Sequence, residues 1–160
     1  MLAAGDQTSG DLTVLQTHSE PSGFGPPLHR HRDAPEAFFV LEGEYLMLID
    51  DEQHRCPLGT FVYALRGMPH TFKVSSKGPG RKLNLFTPAA MVGFVEELAA
   101  AEAARTATPS ALEEIAARNR WKYSAPCPIA TSEDLHCGGD SRRYDCEDRQ
   151  RSLKVLGCGW

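Results

Sequence analysis

Up to about residue 86 the hydrophobic positions alternate with polar ones in short stretches, and after Pro88 the period lengthens to about 3.6. The short stretches are LTVLQT (12–17), EAFFVLEG (36–43), EYLMLID (44–50), TFVYAL (60–65), HTFKV (70–74) and RKLNLFT (81–87), all rich in β-branched and aromatic residues. Pro26-Pro27, Asp33-Ala34-Pro35, Gly43, Asp50-Asp51, Gly59, Gly67-Met68-Pro69 and Gly78-Pro79-Gly80 interrupt them, because proline fixes φ and glycine permits positive φ. Strands at this spacing predict an all-β sandwich or small antiparallel β-barrel. Beyond Pro88, Met91, Phe94, Val95 and Leu98 share one helical face, which predicts a helix to about Arg105. Thr108 before Pro109 is an N-cap and first-turn pair. It opens a second helix with Leu112, Ile115 and Ala116 on its apolar side and Asn119 as its stop. The expected organisation is a barrel over residues 1–88, a helical segment packed on it over 89–119, and a Cys- and Arg-rich tail of weak or unusual order over 120–160.

Composition narrows the function classes. A chain of 160 residues is the size of one domain. Its 17 Lys and Arg against 21 Asp and Glu give a net charge of −4, with no general positive field for a phosphate backbone, so no nucleic-acid partner is expected. No run of about eighteen apolar residues exists to span a bilayer. The start MLAAGDQTSG lacks the basic and apolar regions of a secretory signal, so no membrane partner and a cytoplasmic location are expected. Cysteines number five, an odd count, and Cys127, Cys137, Cys146 and Cys158 fall in the tail, which points to reduced thiols rather than a disulfide scaffold. Zinc binding through Cys127, His136, Cys137 and Cys146 is disfavoured, because the gaps lack the paired spacing of structural sites.

Chemistry concentrates in two segments, GFGPPLHRHRDAPEAFFVLEG and GTFVYALRGMPH. Residues two apart on a strand point to one side, so His29 and His31 share a face while Arg30 and Arg32 look away. Glu36 lies an odd five residues beyond His31, so the chain must turn between them, and Asp33-Ala34-Pro35 supplies a turn. A hairpin there would set Glu36 beside the histidine pair. His70 alternates with Phe72 and Val74 and should point inward. Each feature alone has a plainer explanation: two solvated histidines on a strand edge, or one hydrogen-bonded core histidine. Together, three imidazoles and one carboxylate suit a first-row divalent ion with coordination positions left open.

Gly23, His29, His31, Glu36 and Gly43 fill every specified place of G-x5-H-x-H-x3–4-E-x6-G, the first motif of the cupin superfamily, which this sequence resembles. The second motif, G-x5-P-x-G-x2-H-x3-N, is met at Gly59, Gly67 and His70, with Leu65 where Pro is usual and Val74 where Asn is. The resemblance covers residues 23–86 closely, the helices loosely and the tail not at all. It implies a double-stranded β-helix jelly roll holding one divalent transition metal per chain (Fe, Mn, Ni, Co or Zn) through His29, His31, Glu36 and His70. Within the superfamily the site looks most like quercetin 2,3-dioxygenase-like members. That likeness implies a dioxygenase acting on a small aromatic or enolic substrate, with Glu36 as the base that takes the substrate hydroxyl proton.

Other functions use the same barrel: a non-enzymatic metal-containing module that binds a small ligand, or a sugar or small-acid isomerase or epimerase. The last would be supported by a phosphate-binding basic pair inside the barrel, for which Arg66 and Arg81 are weak candidates beside their solvated reading. Phe38, Phe39, Met47, Phe72 and Phe86 could wall an aromatic substrate, although core packing accounts better for most of them. The short single barrel and its strand edges lead us to expect a homodimer. His18 and His54 are expected to be exposed, and Cys56 to be a small buried hydrophobe.

Overall fold

A computed structural model describes residues 1–125 and Ile129. Among the described residues, nine strands form two antiparallel sheets. In chain order they are β1 (Thr13–Gln16), β2 (Leu28–His31), β3 (Glu36–Glu42), β4 (Glu44–Ile49), β5 (Glu52–Pro57), β6 (Phe61–Ala64), β7 (His70–Val74), β8 (Arg81–Phe86) and β9 (Trp121–Ala125). The four-stranded sheet runs β1-β8-β3-β6 and the five-stranded sheet runs β5-β4-β7-β2-β9. Apart from the adjacent pair β4 and β5, successive strands cross between the sheets, which is the expected jelly-roll barrel. Among the described residues, no helix is long and apolar enough to cross a membrane.

Alternation explains the packing. Tyr45, Met47 and Ile49 of β4 are buried while Glu44, Leu46 and Leu48 are partly exposed, as a strand with one face on a core requires. These three join Phe38, Val40, Cys56, Val62, Ala64, Phe72 and Val74 in the barrel core. Each fully buried aliphatic or aromatic side chain there stabilises the fold by about 1.5–3 kcal/mol. Gly43 makes the β3 to β4 turn at φ 74°, where a Cβ would lie 2.8 Å from Ser76 Oγ and 2.9 Å from Pro79 O. Only glycine meets both demands.

A second core closes one end of the barrel. A short 3-10 turn at Ala89–Val92 leads into α1 (Gly93–Ala103), followed by α2 (Pro109–Arg118). Met91, Val92 and Phe94 pack with Ile115, Ala116, Phe86, Ala34 and Trp121. α2 begins and ends where its sequence demands: Thr108 Oγ1 accepts from the Ala111 amide, Pro109 sits in the first turn, and Asn119 is the C-cap.

β9 lies where weak order was expected. Trp121 is buried, Lys122 exposed and Tyr123 half-buried, so the segment does carry strand alternation, and it pairs with β2. The cysteines and histidine weighed for zinc (Cys127, His136, Cys137 and Cys146) lie outside the described residues, as does Cys158. His18 is exposed and Cys56 fully buried as expected, whereas His54 is half-buried at 21% beside Glu52.

Candidate metal centre

His29, His31, Glu36 and His70 converge. One ligand atom from each lies within 4.8 Å of the others, and all four residues are at most 3% exposed. One strand face and one register pairing in the five-stranded sheet supply the histidines. His29 and His31 share the inner face of β2, and His29 is the direct register partner of His70 on β7. Gly67, at φ 76°, turns the chain into β7 and donates its amide to His31 O at 2.8 Å, tying the approach of His70 to β2.

Glu36 arrives differently from the expectation. β2 and β3 form no hairpin; they belong to opposite sheets. Asp33, Ala34 and Pro35 carry the chain across the barrel, and Glu36 opens β3 in register with Ala64 and Phe86. The carboxylate therefore meets the imidazoles across the interior rather than along one sheet. The parity argument correctly demands a turn, but parity cannot distinguish a hairpin from a crossing between facing sheets.

The hydrogen bonds define the donor atoms. His29 Nδ1 lies 2.8 Å from Pro27 O and His70 Nδ1 lies 2.9 Å from Met68 O. A carbonyl only accepts, so both Nδ1 atoms carry the proton, leaving an Nε2 lone pair on each neutral ring. Glu36 Oε2 sits 2.8 Å from His31 Nε2 and 3.2 Å from His70 Nε2. At His70 a lone pair thus faces a carboxylate oxygen, an arrangement that calls for a cation between them, either a proton or a metal ion. His31 Nδ1 is buried without a partner among the described residues, so no second hydrogen bond dictates which nitrogen of His31 is protonated. The donor set fits a divalent metal: three neutral nitrogens and one anionic oxygen, withdrawn from water.

Electrostatics agree with that composition. Burial lowers the His29 pKa to about 3, with His70 adding to the effect, so its ring is neutral near pH 7. For Glu36, burial alone would raise the carboxyl pKa. With a proton on Nε2 of His31 and His70, their hydrogen bonds and charge outweigh it and hold the group well below the usual carboxylate range. Asn84, inward-facing on β8, donates to Glu36 Oε1 at 3.3 Å. Above the cluster Trp121 stacks on His29 at 4.8 Å between ring centroids and meets His31 edge-on at 4.1 Å. Phe94 stacks on the same indole at 4.0 Å.

Asn84 and Trp121 are the neighbours that the sequence reading omits. Asn84 lies two residues before the buried Phe86, and that spacing alone places it on the inner face. Of the proposed aromatic wall, Phe38, Met47 and Phe72 belong to the barrel core and Phe86 to the second core, the packing role judged better for them. Phe39 sits on the opposite face of β3 and is only partly buried. Arg66 is exposed and Arg81 pairs with Glu42 at 3.3 Å, so neither forms a basic pair inside the barrel.

Comparison with known proteins follows the barrel and not the whole chain. Residues 16–86 match the family model described as a cupin domain. Over 73 residues the chain is 30% identical to quercetin 2,3-dioxygenase of Bacillus subtilis. That segment is 46% of this chain, and the chain spans only 22% of that relative. Among solved structures, an RmlC-like cupin from Shewanella frigidimarina is 20% identical with a TM-score of 0.45, over 50% of this chain and 68% of that one. The polyketide cyclase RemF from Streptomyces resistomycificus is 22% identical with a TM-score of 0.47, over 54% and 61%.

Proposed function

We propose, for a chain whose residues 16–86 are a cupin domain, that His29, His31, Glu36 and His70 hold one divalent transition metal and that the site serves a dioxygenase acting on a small aromatic or enolic, quercetin-like substrate. The convergence of four buried donors on one point carries this reading, and the 30% identity to quercetin 2,3-dioxygenase gives it a direction. A bound Fe, Mn, Ni or Co ion would supply Lewis acidity and redox access to dioxygen.

The chain's own groups do the rest. Glu36, held ionised by His31 and His70, takes the hydroxyl proton of the substrate at a carboxylate oxygen. Asn84 donates to Oε1 and so steadies the carboxylate while Oε2 faces the imidazoles. Pro27 O and Met68 O hold the rings of His29 and His70 in one tautomer. Phe94 and Trp121 keep water from the donors, which strengthens each electrostatic contact inside. We further propose that the protein works as a cytoplasmic homodimer, for which light scattering of the purified protein would give twice the chain mass.

The test is oxygen consumption by metal-loaded protein with a panel of flavonols and related enols. Uptake that requires both metal and substrate, and that Glu36→Gln reduces by about 10²-fold or more, is expected. A metal-loaded protein inert toward the whole panel would favour the second reading, a metal-containing module that binds a small ligand without turnover. One observation favours that reading: His29, His31, Glu36 and His70 are all at most 3% exposed, so substrate reaches them only if residues that cover them move.

A further inference from the structure

Arg30, on the outer face of β2, and Arg32, exposed just beyond the end of that strand, lie on the side away from the metal donors. Arg30 is the direct register partner of Lys122 on β9, and Arg120 lies two residues before Lys122. These four cations line a surface cleft of about 610 Å³, together with Ala117 of α2 and Trp121. Asp33 contacts Arg120 at 2.9 Å, and it is the one carboxylate ion-paired with any of the four among the described residues. The whole chain carries a charge of −4, so the cleft is opposite in sign to the chain as a whole and does not follow from a basic composition.

Like charges directly opposite one another on paired strands are destabilising. Arg30 and Lys122 hold that arrangement, and Ala117 of α2 borders the cleft they share with Arg32 and Arg120. We propose that this cleft is a binding site for a small multivalent anion bearing carboxylate or phosphate groups. Arginine's planar fork accepts either group in bidentate fashion, and an ammonium at its side adds a point charge. The cleft volume of about 610 Å³ suits a compact ligand, and the net negative charge of the chain opposes a long polyanion such as nucleic acid. The inference does not rest on the metal reading, because none of the four cations is among the metal donors.

Calorimetric titration of the full chain tests it with two probes, inorganic phosphate and tricarballylate, at low and at physiological salt. The fluorescence of Trp121, read in a Trp160→Phe background, reports occupancy of the cleft. At least one probe is expected to bind, more weakly as salt rises. The double variant Arg30→Gln with Lys122→Gln is expected to weaken binding about tenfold or more, with unchanged metal content and circular dichroism. Arg32→Gln, at an exposed position outside the strands, repeats the test should the double variant misfold. Failure of both anions to bind the unaltered chain overturns the proposal, as does undiminished binding by a folded variant. Tighter binding of a single-stranded oligonucleotide than of either probe overturns it too.

Discussion

The barrel interior buries two polar clusters, and they differ in how their charge is answered. Near Glu36, three imidazoles surround one carboxylate, and His31 Nδ1 and Asn84 Oδ1 have no hydrogen-bond partner among the described residues. Near Glu20, the carboxylate is met by a cation. Lys82 Nζ, fully buried, donates to Glu20 Oε1 at 2.8 Å and Oε2 at 2.9 Å and lies 3.8 Å from the centre of the Phe72 ring. Tyr45 also donates to Glu20 Oε2, and Thr17 Oγ1 lies within 3.1 Å. Burial lowers the Lys82 pKa and Glu20 opposes the shift, whereas burial and Glu20 together raise that of Tyr45. The second cluster is balanced by its own members and ties the segment before β2 to the barrel. The first is balanced only when something positive sits among its donors. Burial of charge thus does not by itself mark a functional site; unanswered charge does.

The difference sharpens most under mutation of the balanced cluster. Lys82→Ala leaves the Glu20 carboxylate buried and unpaired, which should cost about 3–5 kcal/mol in urea unfolding. Replacing both partners, Lys82→Met with Glu20→Gln, should recover most of that loss, because an apolar or neutral substitute removes the desolvated charge along with its partner. Metal content per folded chain should be the same in both variants. A fall in metal content with the double variant would merge the two clusters into one functional unit.

At the unbalanced cluster the expected loss is of ligand rather than of fold. His31→Ala should weaken metal binding by at least about a hundredfold, a larger effect than removing a group that only supports a ligand. Competition with a chelator measures it. Acid should act on the same residues. His29 has its folded pKa lowered from 6.5 to about 3, so the metal-free protein is at full stability above pH 6.5 and loses stability as pH falls toward 3. Glu36, also depressed, adds a loss as pH falls below 4.5. The stability of metal-free protein should be level from pH 7.5 to pH 6.5 and fall from there to pH 4, and a flat profile over that lower range would contradict a neutral buried His29. The smallest effect is expected at Asn84. Asn84→Ala removes one donor to Glu36 and should reduce metal affinity about tenfold.

The two clusters were not equally legible. The spacing of His29, His31, Glu36 and His70 survives translation into geometry because strand parity and register act locally: two steps along β2, one register pair to β7. Apart from β5, whose EQHRCP run is mostly polar, and β9, the strands and both helices follow from alternation, turn residues and caps for the same reason. The hairpin expected between His31 and Glu36 is replaced by a crossing between sheets, since sheet assignment depends on long-range packing that local patterns do not encode. Glu20 and Lys82 stand 62 positions apart, and each alone reads as an ordinary surface charge. Only the parity of Lys82 and Asn84 with Phe86 along β8 hints that they face inward. Trp121 escapes for another reason. Its strand is short, follows a helix, and gains its order from pairing with β2 rather than from its own sequence.

Metal analysis of the purified full chain, after loading with Fe, Mn, Co, Ni or Zn and removal of free ion, tests the unanswered-charge account most directly. Close to one transition metal ion per chain, lost with His31→Ala and kept with Lys82→Met and Glu20→Gln together, is the expected result. Protein that retains none of these ions while remaining folded would show that the buried histidines and Glu36 are neutralised by protons alone.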